Sequence, residues 1–195
     1  MAMQFKTFVS FAIALALNVS LLAKDVTGAL PPAPKGFKWV ALHEIDGAIL
    51  QPNGWHFRKD SSAPGTQAYF VTKQKIEGKD GQFQTGYSLN VVKGVKAKTG
   101  KTPTEYAGIL MEELKGKGKY KDEDRKKINE FFETFYVSLL LEDSAGKTIM
   151  AYSVTANDKT DAIYIAFFEA PFEKWDTEKA AGLKILLNQA FEEKY

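Results

Sequence analysis

Residues 162–168 constrain the fold more strongly than any other stretch of this chain. Odd positions of a strand point to one face and even positions to the other. Here both sets are apolar: Ile163, Tyr164, Ile165, Ala166, Phe167 and Phe168. A strand with one face in water alternates apolar with polar residues. The sequence therefore predicts a sheet that is covered on both of its faces.

The rest of the chain after residue 36 has the pattern of further strands. Polar turns such as Asp46-Gly47 separate runs of aromatic and β-branched residues, which favour strands. The predicted strands are 39–45, 48–50, 55–58, 67–76, 85–95, 131–142, 148–155 and 162–168. Strands that follow one another through short turns pair antiparallel, so we expect a largely antiparallel sheet.

Two helices are predicted. The first covers residues 103–115, where Thr102 can cap the start and Glu105 completes a capping box. The second covers residues 177–193 and follows Asp176 as its cap. Because two helices can cover the two faces of the sheet, the sequence predicts an α+β fold, an α/β/α sandwich with a largely antiparallel sheet.

The N-terminus has the pattern of a secretory signal peptide. Lys6 is the only charged residue among residues 1–23, and an apolar run there ends in a small residue. We therefore expect a signal peptide at 1–23, a Pro-rich linker at 24–36 and a single exported domain, periplasmic or secreted, at 37–195. Retention of the leader as a membrane anchor is the alternative, because Leu21 stands where a second small residue is preferred.

Composition removes several classes of function. The chain has no cysteine, which excludes disulfides, thiol chemistry, cysteine-bound zinc and a lipid-modified cysteine. The formal net charge of +2 falls to +1 without Lys6, which is too small to indicate nucleic-acid binding. No second stretch reaches the roughly 20 apolar residues that span a bilayer, so we expect no stable membrane insertion after the leader is cleaved.

Residues 50–55, with the sequence Leu-Gln-Pro-Asn-Gly-Trp, resemble the Pro-x-Gly-Trp opening of PsbP-like domains. The order of predicted elements over residues 37–195 is also similar to that family: a long hairpin, a helix, three strands and a terminal helix. The resemblance implies a fold that extrinsic photosystem subunits share with a Ran-binding nuclear-import factor. It also implies docking on a partner rather than catalysis, because most known members act in that way.

From export and this resemblance we expect an accessory or binding protein, not an enzyme. It would dock on a protein or an anionic envelope component without a cofactor. The candidate binding surface is a set of lysines on the two loops that flank the first helix: Lys96, Lys98, Lys101, Lys117, Lys119 and Lys121. Clustered cations attract anionic partners. The alternative is a pair of solvated loops, partly neutralised by the acidic residues at 122–124.

A metal-binding or hydrolytic domain is the alternative function. The two histidines are His43 and His56, and Glu44 stands beside the first, so a hairpin that joins them would present imidazole and carboxylate ligands. A hydrogen-bonded ring within a strand is the simpler role for His43. Glu133 is the candidate acid, because it shares strand parity with Phe135 and burial on an apolar face raises the pKa of a carboxyl group. The alternative is that Glu133 lies near a strand end or bulge, where its carboxylate reaches water.

Overall fold

A computed structural model describes residues 30–63, 66–78, 81–144 and 146–191. The expected signal peptide at 1–23 and residues 24–29 of the expected linker lie outside this part of the chain. The rest of that linker contacts the domain. The Trp39 indole Nε1 donates a hydrogen bond of 2.8 Å to the Pro31 carbonyl, and Ala33 packs against the core.

The described residues form nine strands and three helices. The strands are β1 (Phe37–Leu42), β2 (Gly47–Pro52), β3 (His56–Ala63), β4 (Thr66–Thr72), β5 (Gly86–Lys93), β6 (Lys119–Lys127), β7 (Phe132–Asp143), β8 (Gly146–Asn157) and β9 (Ala162–Pro171). The helices are α1 (Val95–Thr99), α2 (Pro103–Lys115) and α3 (Trp175–Leu187). Two short 3-10 turns span His43–Ile45 and Phe172–Lys174.

Seven of the strands form one antiparallel sheet in the order β3-β4-β5-β9-β8-β7-β6, while β1 and β2 pair as a separate hairpin. The long strands β7, β8 and β9 are neighbours, with Val137 opposite Tyr152 and Tyr152 opposite Phe167. Such long adjacent strands give a broad surface on which helices can pack. The prediction of an α+β fold with a largely antiparallel sheet is confirmed.

The sheet has a hydrophobic core on each face. One core lies beneath α3 and the β1–β2 hairpin and contains the fully buried rings of Tyr87 and Phe168. The other lies beneath α2 and contains Met111. Consecutive residues of β9 divide between them, since Ile163 belongs to the second core and Tyr164 to the first. The prediction that both faces are covered is therefore confirmed.

Helix α2 begins and ends where the sequence predicts. The Thr102 hydroxyl accepts a hydrogen bond of 3.2 Å from the Glu105 N–H, and the Glu105 carboxylate accepts one of 2.9 Å from the Thr102 N–H. This reciprocal pair is the expected capping box. Among the described residues, no helix combines the length and apolar character needed to cross a membrane.

Three elements differ from the prediction. Strand β6 occupies a stretch expected to be a loop, because it is a charged edge strand that pairs with β7 and has no apolar alternation to reveal it. Helix α1 spans Val95–Thr99, where the sequence predicts the last residue of a strand followed by a loop. His43 lies in a 3-10 turn and not in a strand, since Asp46 follows with a left-handed φ of 46° and turns the chain into β2.

The last helix is also displaced from its predicted bounds. Asp176 is not its cap but lies within the first turn, where its carboxylate accepts a hydrogen bond of 2.5 Å from Lys179. Lys174 takes the cap position without a side-chain hydrogen bond, and the helix ends at Leu187 instead of residue 193. An acidic residue in the first turn still stabilises the helix through its dipole.

Candidate functional site

An open groove lies between the β1–β2 hairpin, the start of β3 and the segment that follows β4. Its volume is about 690 Å³, within the range of ordinary ligand-binding sites. Among the described residues, eleven line the groove, and none of these eleven carries a carboxylate. The walls combine apolar side chains with basic ones, and the principal members are Trp39, Trp55, Phe57, Ile76, Lys38, His56, Arg58 and Lys75.

The aromatic part of the wall is held in place by the core behind it. The Trp55 ring stacks on Phe168 with a centroid separation of 6.4 Å, and the Phe57 ring stacks on Tyr69 at 6.5 Å. Phe57 nevertheless remains 37% exposed. The groove therefore presents a fixed aromatic surface to solvent, and a ligand would not need to order it.

A tight turn before β3 positions Trp55. Gly54 has a φ of 80°, which glycine adopts at little steric cost, and the Trp55 N–H donates a hydrogen bond of 3.1 Å to the Pro52 carbonyl. The buried Gln51 amide donates to the Trp55 carbonyl. These residues belong to the Pro-x-Gly-Trp segment, so the segment that carries the family resemblance also shapes the groove.

Three cationic side chains border the groove. Lys38 is exposed on β1. Arg58 is fixed, because its Nη1 donates a hydrogen bond of 2.5 Å to the Gly78 carbonyl and its Nη2 lies 3.4 Å from the Asp60 carboxylate. The Lys75 side chain is 71% exposed, and its Nζ lies 4.0 Å from the Glu77 carboxylate. An ion pair that long and that exposed contributes little to stability, so Lys75 remains accessible to an anionic ligand.

The residues predicted to ligate a metal have different environments. Glu44 forms an ion pair with Lys59 and accepts a hydrogen bond of 3.2 Å from the Tyr69 hydroxyl, and Lys59 holds the pKa of the Glu44 carboxyl below its usual value. His43 is exposed, whereas His56 lines the groove. In the part of the chain that the structure describes, no three His, Asp or Glu side chains lie together as a metal site.

The expectation of a raised pKa at Glu133 is wrong. Its carboxylate accepts a hydrogen bond of 2.6 Å from Arg125 Nε, and this hydrogen bond holds the pKa of Glu133 below its usual value. A raised pKa occurs instead at Glu169, where burial raises it to about 7. Glu169 continues the strand parity of Phe167 in β9 and lies opposite Met150 in β8.

The lysines predicted as a binding surface lie at two ends of α2. Lys96 and Lys98 are on α1, and Lys101 precedes α2, whereas Lys117 and Lys119 follow its C-terminus. The helix has 13 residues and so separates the two groups by about 20 Å. The side chain of Lys121 lies outside the described residues. The six lysines stay a predicted site, but as two groups rather than one continuous surface.

Sequence reasoning missed the groove because its cations come from distant positions. Lys38, Arg58 and Lys75 belong to β1, β3 and the segment after β4, and only the packing of the hairpin against the sheet brings them together. The available signal was Trp55, whose tight turn places a large ring at the start of a strand.

Comparison with solved structures identifies the fold. The solution structure of cyanobacterial PsbP (CyanoP) from Synechocystis sp. PCC 6803 matches with a TM-score of 0.52 and 14% identity, over 82% of this chain and 95% of that one. LpqN of Mycobacterium tuberculosis, which is involved in cell envelope biogenesis, matches with a TM-score of 0.49 and 13% identity, over 80% and 91%. The Ran-binding protein Mog1p of Saccharomyces cerevisiae matches with a TM-score of 0.43 and 15% identity, over 76% and 84%.

No protein-family model matches the chain, and no curated protein matches it. The similarity to CyanoP shows a PsbP-like fold, as the sequence resemblance implied. At 14% identity this similarity concerns the fold alone.

Proposed function

We propose that this protein is an exported accessory protein that binds an anionic envelope component or protein segment through the groove, and that it is not an enzyme. The observation that carries the proposal is the lining of the groove. Three cationic side chains surround an aromatic wall there, and in the part of the chain that the structure describes the lining holds no carboxylate.

The charge of the groove is a local feature, because the whole chain has a formal net charge of only +2. A concave site with apolar walls concentrates the field of its charges and raises the local concentration of oppositely charged ligands. Lys38 and Lys75 are both exposed, so an anionic ligand can reach them without displacing a buried ion pair.

The aromatic wall supports binding by a second physical effect. Tryptophan and arginine are enriched among the residues that dominate interface energies, and the groove contains Trp39, Trp55 and Arg58. The hydrogen bond from Trp39 to Pro31 and the stacking of Trp55 on Phe168 fix both indoles before a ligand arrives. Such preorganisation lowers the entropy lost on binding.

The same chemistry supports a binding role rather than catalysis. The charged groups of the lining are Lys38, Arg58 and Lys75, and such cations are suited to attracting an anion.

Export is supported by the leader pattern at 1–23, in which Lys6 precedes a predominantly apolar run. N-terminal sequencing of the protein from fractionated cells tests it. A mature N-terminus near Lys24 or Asp25 in the extracytoplasmic fraction is the expected result. An intact N-terminus in the membrane fraction would show a retained anchor instead, and an intact N-terminus in the cytoplasm would contradict export.

Charge reversal tests the groove. The double substitution Lys38→Glu with Lys75→Glu reverses two exposed cations of the lining, and the matched control Lys96→Glu with Lys98→Glu reverses two exposed lysines of α1. The probe is polyglutamate, with binding measured by calorimetry at low and at physiological salt. We expect wild-type affinity to fall with added salt, and the groove variant to bind at least about tenfold more weakly while the control changes less than about twofold.

The two pairs separate the possible outcomes. Weakening by the control pair alone would place the binding surface at the lysines beside α2, and equal weakening by both pairs would show a response to overall charge; either result would contradict a specific site in the groove. Unchanged affinity in the groove variant would contradict the proposed function of the groove.

A further inference from the structure

The two edges of the seven-stranded sheet are β3 and β6. An edge strand presents main-chain N–H and C=O groups that can pair with another chain. Natural sheets discourage such pairing with charges and bulges, so the side chains on each edge indicate whether a partner strand is excluded or accepted.

The β6 edge carries both signs of charge. Its sequence is Lys-Tyr-Lys-Asp-Glu-Asp-Arg-Lys-Lys, and its register against β7 shifts between Tyr120 and Asp122. Ion pairs join it to its surroundings, with Arg125 Nε 2.6 Å from the Glu133 carboxylate and a further pair between Lys115 and Glu123. An added strand would meet charges of its own sign whichever sign it carried.

The β3 edge is different where it borders the groove. Residues 56–60 keep an uninterrupted register with β4, from His56 opposite Thr72 to Asp60 opposite Ala68, and the irregularity follows after Asp60. In the described part of the chain, the main chain of β3 forms hydrogen bonds only with β4. The outer side of His56–Lys59 can therefore accept a strand.

The surroundings of this edge select the occupant by charge and shape. Lys38 and Lys75 are exposed cations that line the groove, and Arg58 is a fixed one. A second copy of the chain would set like charges against each other, whereas an acidic strand is complementary. The partly exposed Phe57 ring offers a contact for the apolar side chains that alternate with the acidic ones.

We infer that the groove binds an extended acidic segment of a partner protein, which adds as an antiparallel or parallel strand to the β3 edge at residues 56–59. This inference rests on the proposed function, because it names the occupant of the same groove. Main-chain hydrogen bonds give such a complex its affinity, and the pockets for alternate side chains give it specificity. The segment needs about four residues in register to pair with residues 56–59, since both strands rise about 3.3 Å per residue.

Synthetic peptides test the inference on the protein as it is recovered from expressing cells. The probe is a blocked heptapeptide in which aspartate alternates with valine. Two matched peptides have the same side chains but carry N-methyl groups on alternate residues. In one of them the methyl groups remove the main-chain donors of one edge, and in the other they remove the donors of the opposite edge. A further peptide replaces aspartate with lysine. Binding is followed by tryptophan fluorescence and by hydrogen exchange of the main-chain amides.

We expect the acidic peptide to bind, one N-methylated peptide to bind at least tenfold more weakly, and the lysine peptide not to bind. Exchange should slow in residues 56–59 and stay unchanged in β6. Lys38→Glu with Lys75→Glu should weaken the acidic peptide at least tenfold.

The failures of this inference and of the proposed function are distinguishable. Equal binding of all acidic peptides, methylated or not, would exclude strand addition while leaving an anion-binding groove. Strand addition is also excluded if the peptide does not bind but polyglutamate or vesicles of anionic lipid bind in a Lys38- and Lys75-dependent way. If no acidic probe depends on these two lysines, both the inference and the proposed function are wrong.

Discussion

Gly182 in α3 lies so close to the Phe168 ring that a Cβ atom at position 182 would stand 2.1 Å from Phe168 Cδ1. Phe168 cannot move away easily, because it is fully buried and contacts Trp55 and Trp175. Gly182→Ala should therefore destabilise the protein by about 1–3 kcal/mol through overpacking, although alanine is otherwise the better helix former. Urea unfolding measures the change.

Gly108 in α2 is the matched control, since a Cβ atom there would have no neighbour within 4 Å. Gly108→Ala should stabilise the protein by roughly 0.5–1 kcal/mol, the ordinary gain of a helical Gly→Ala substitution. A gain of similar size at Gly182 would show that α3 can shift on the sheet and that the contact with Phe168 does not fix it.

Most core substitutions lower stability, but the buried hydroxyl of Tyr87 predicts that its removal does not. Its ring is fully buried, and its hydroxyl has no hydrogen-bond partner among the described residues. Tyr87→Phe should leave stability unchanged or raise it by about 1 kcal/mol, because it removes an unsatisfied polar group. In the control Tyr69→Phe, loss of the hydrogen bond to Glu44 should cost about 1 kcal/mol. Equal losses in thermal unfolding would mean that the Tyr87 hydroxyl has a partner.

The parts of the fold that the sequence predicts are those set by local patterns. The two apolar parities of β9 require cover on both faces, and the capping box of Thr102 and Glu105 lies within four residues. Each pattern is complete within one element, so it can be read without knowing what that element packs against.

The parts that the sequence does not predict depend on partners from other elements. The parity argument places Glu133 on an apolar face, but its pKa is set by Arg125 on β6. Strand β6 was itself not predicted, because its charged sequence lacks the alternation of apolar residues that indicates a strand. The groove depends on the approach of Lys38 and Lys75, which belong to separate segments. In both cases a pairwise contact across the fold decides the chemistry, and no local pattern encodes it.

The capping box at α2 predicts a stability change at Thr102. Thr102→Ala removes the acceptor for the Glu105 N–H and should lower the free energy of unfolding by about 1 kcal/mol. Thr104→Ala is the control in the same helical turn, because the hydrogen bond there comes from its main-chain N–H to Asp158, which alanine keeps. The control should be neutral or slightly stabilising in urea unfolding. A loss at Thr104 as large as at Thr102 would contradict a specific role for the cap.

Glu169 predicts a dependence of stability on pH. Burial raises the pKa of its carboxyl from 4.5 to about 7 in the folded protein, so between these values the native state binds more protons than the unfolded chain. The free energy of unfolding should therefore fall as pH rises from about 4.5 to about 7, and this contribution should be constant above pH 7. Allowing for partial exposure, the fall should be roughly 1–2 kcal/mol. Glu169→Gln should remove it, so that the variant is more stable than the wild type at pH 8.

The control for this titration is Glu133→Gln, for which the pH dependence should have the opposite sign. Arg125 lowers the pKa of Glu133 below 4.5, so its contribution is present above pH 4.5 and is lost as pH falls through the lowered value. Glu133→Gln should therefore reduce stability at pH 7 and converge with the wild type in acid. Urea unfolding from about pH 2 to pH 8 compares the two variants. If Glu169→Gln follows the wild-type profile at every pH, the Glu169 carboxylate is already ionised in the folded protein at neutral pH and its burial is less complete than the β9 packing requires.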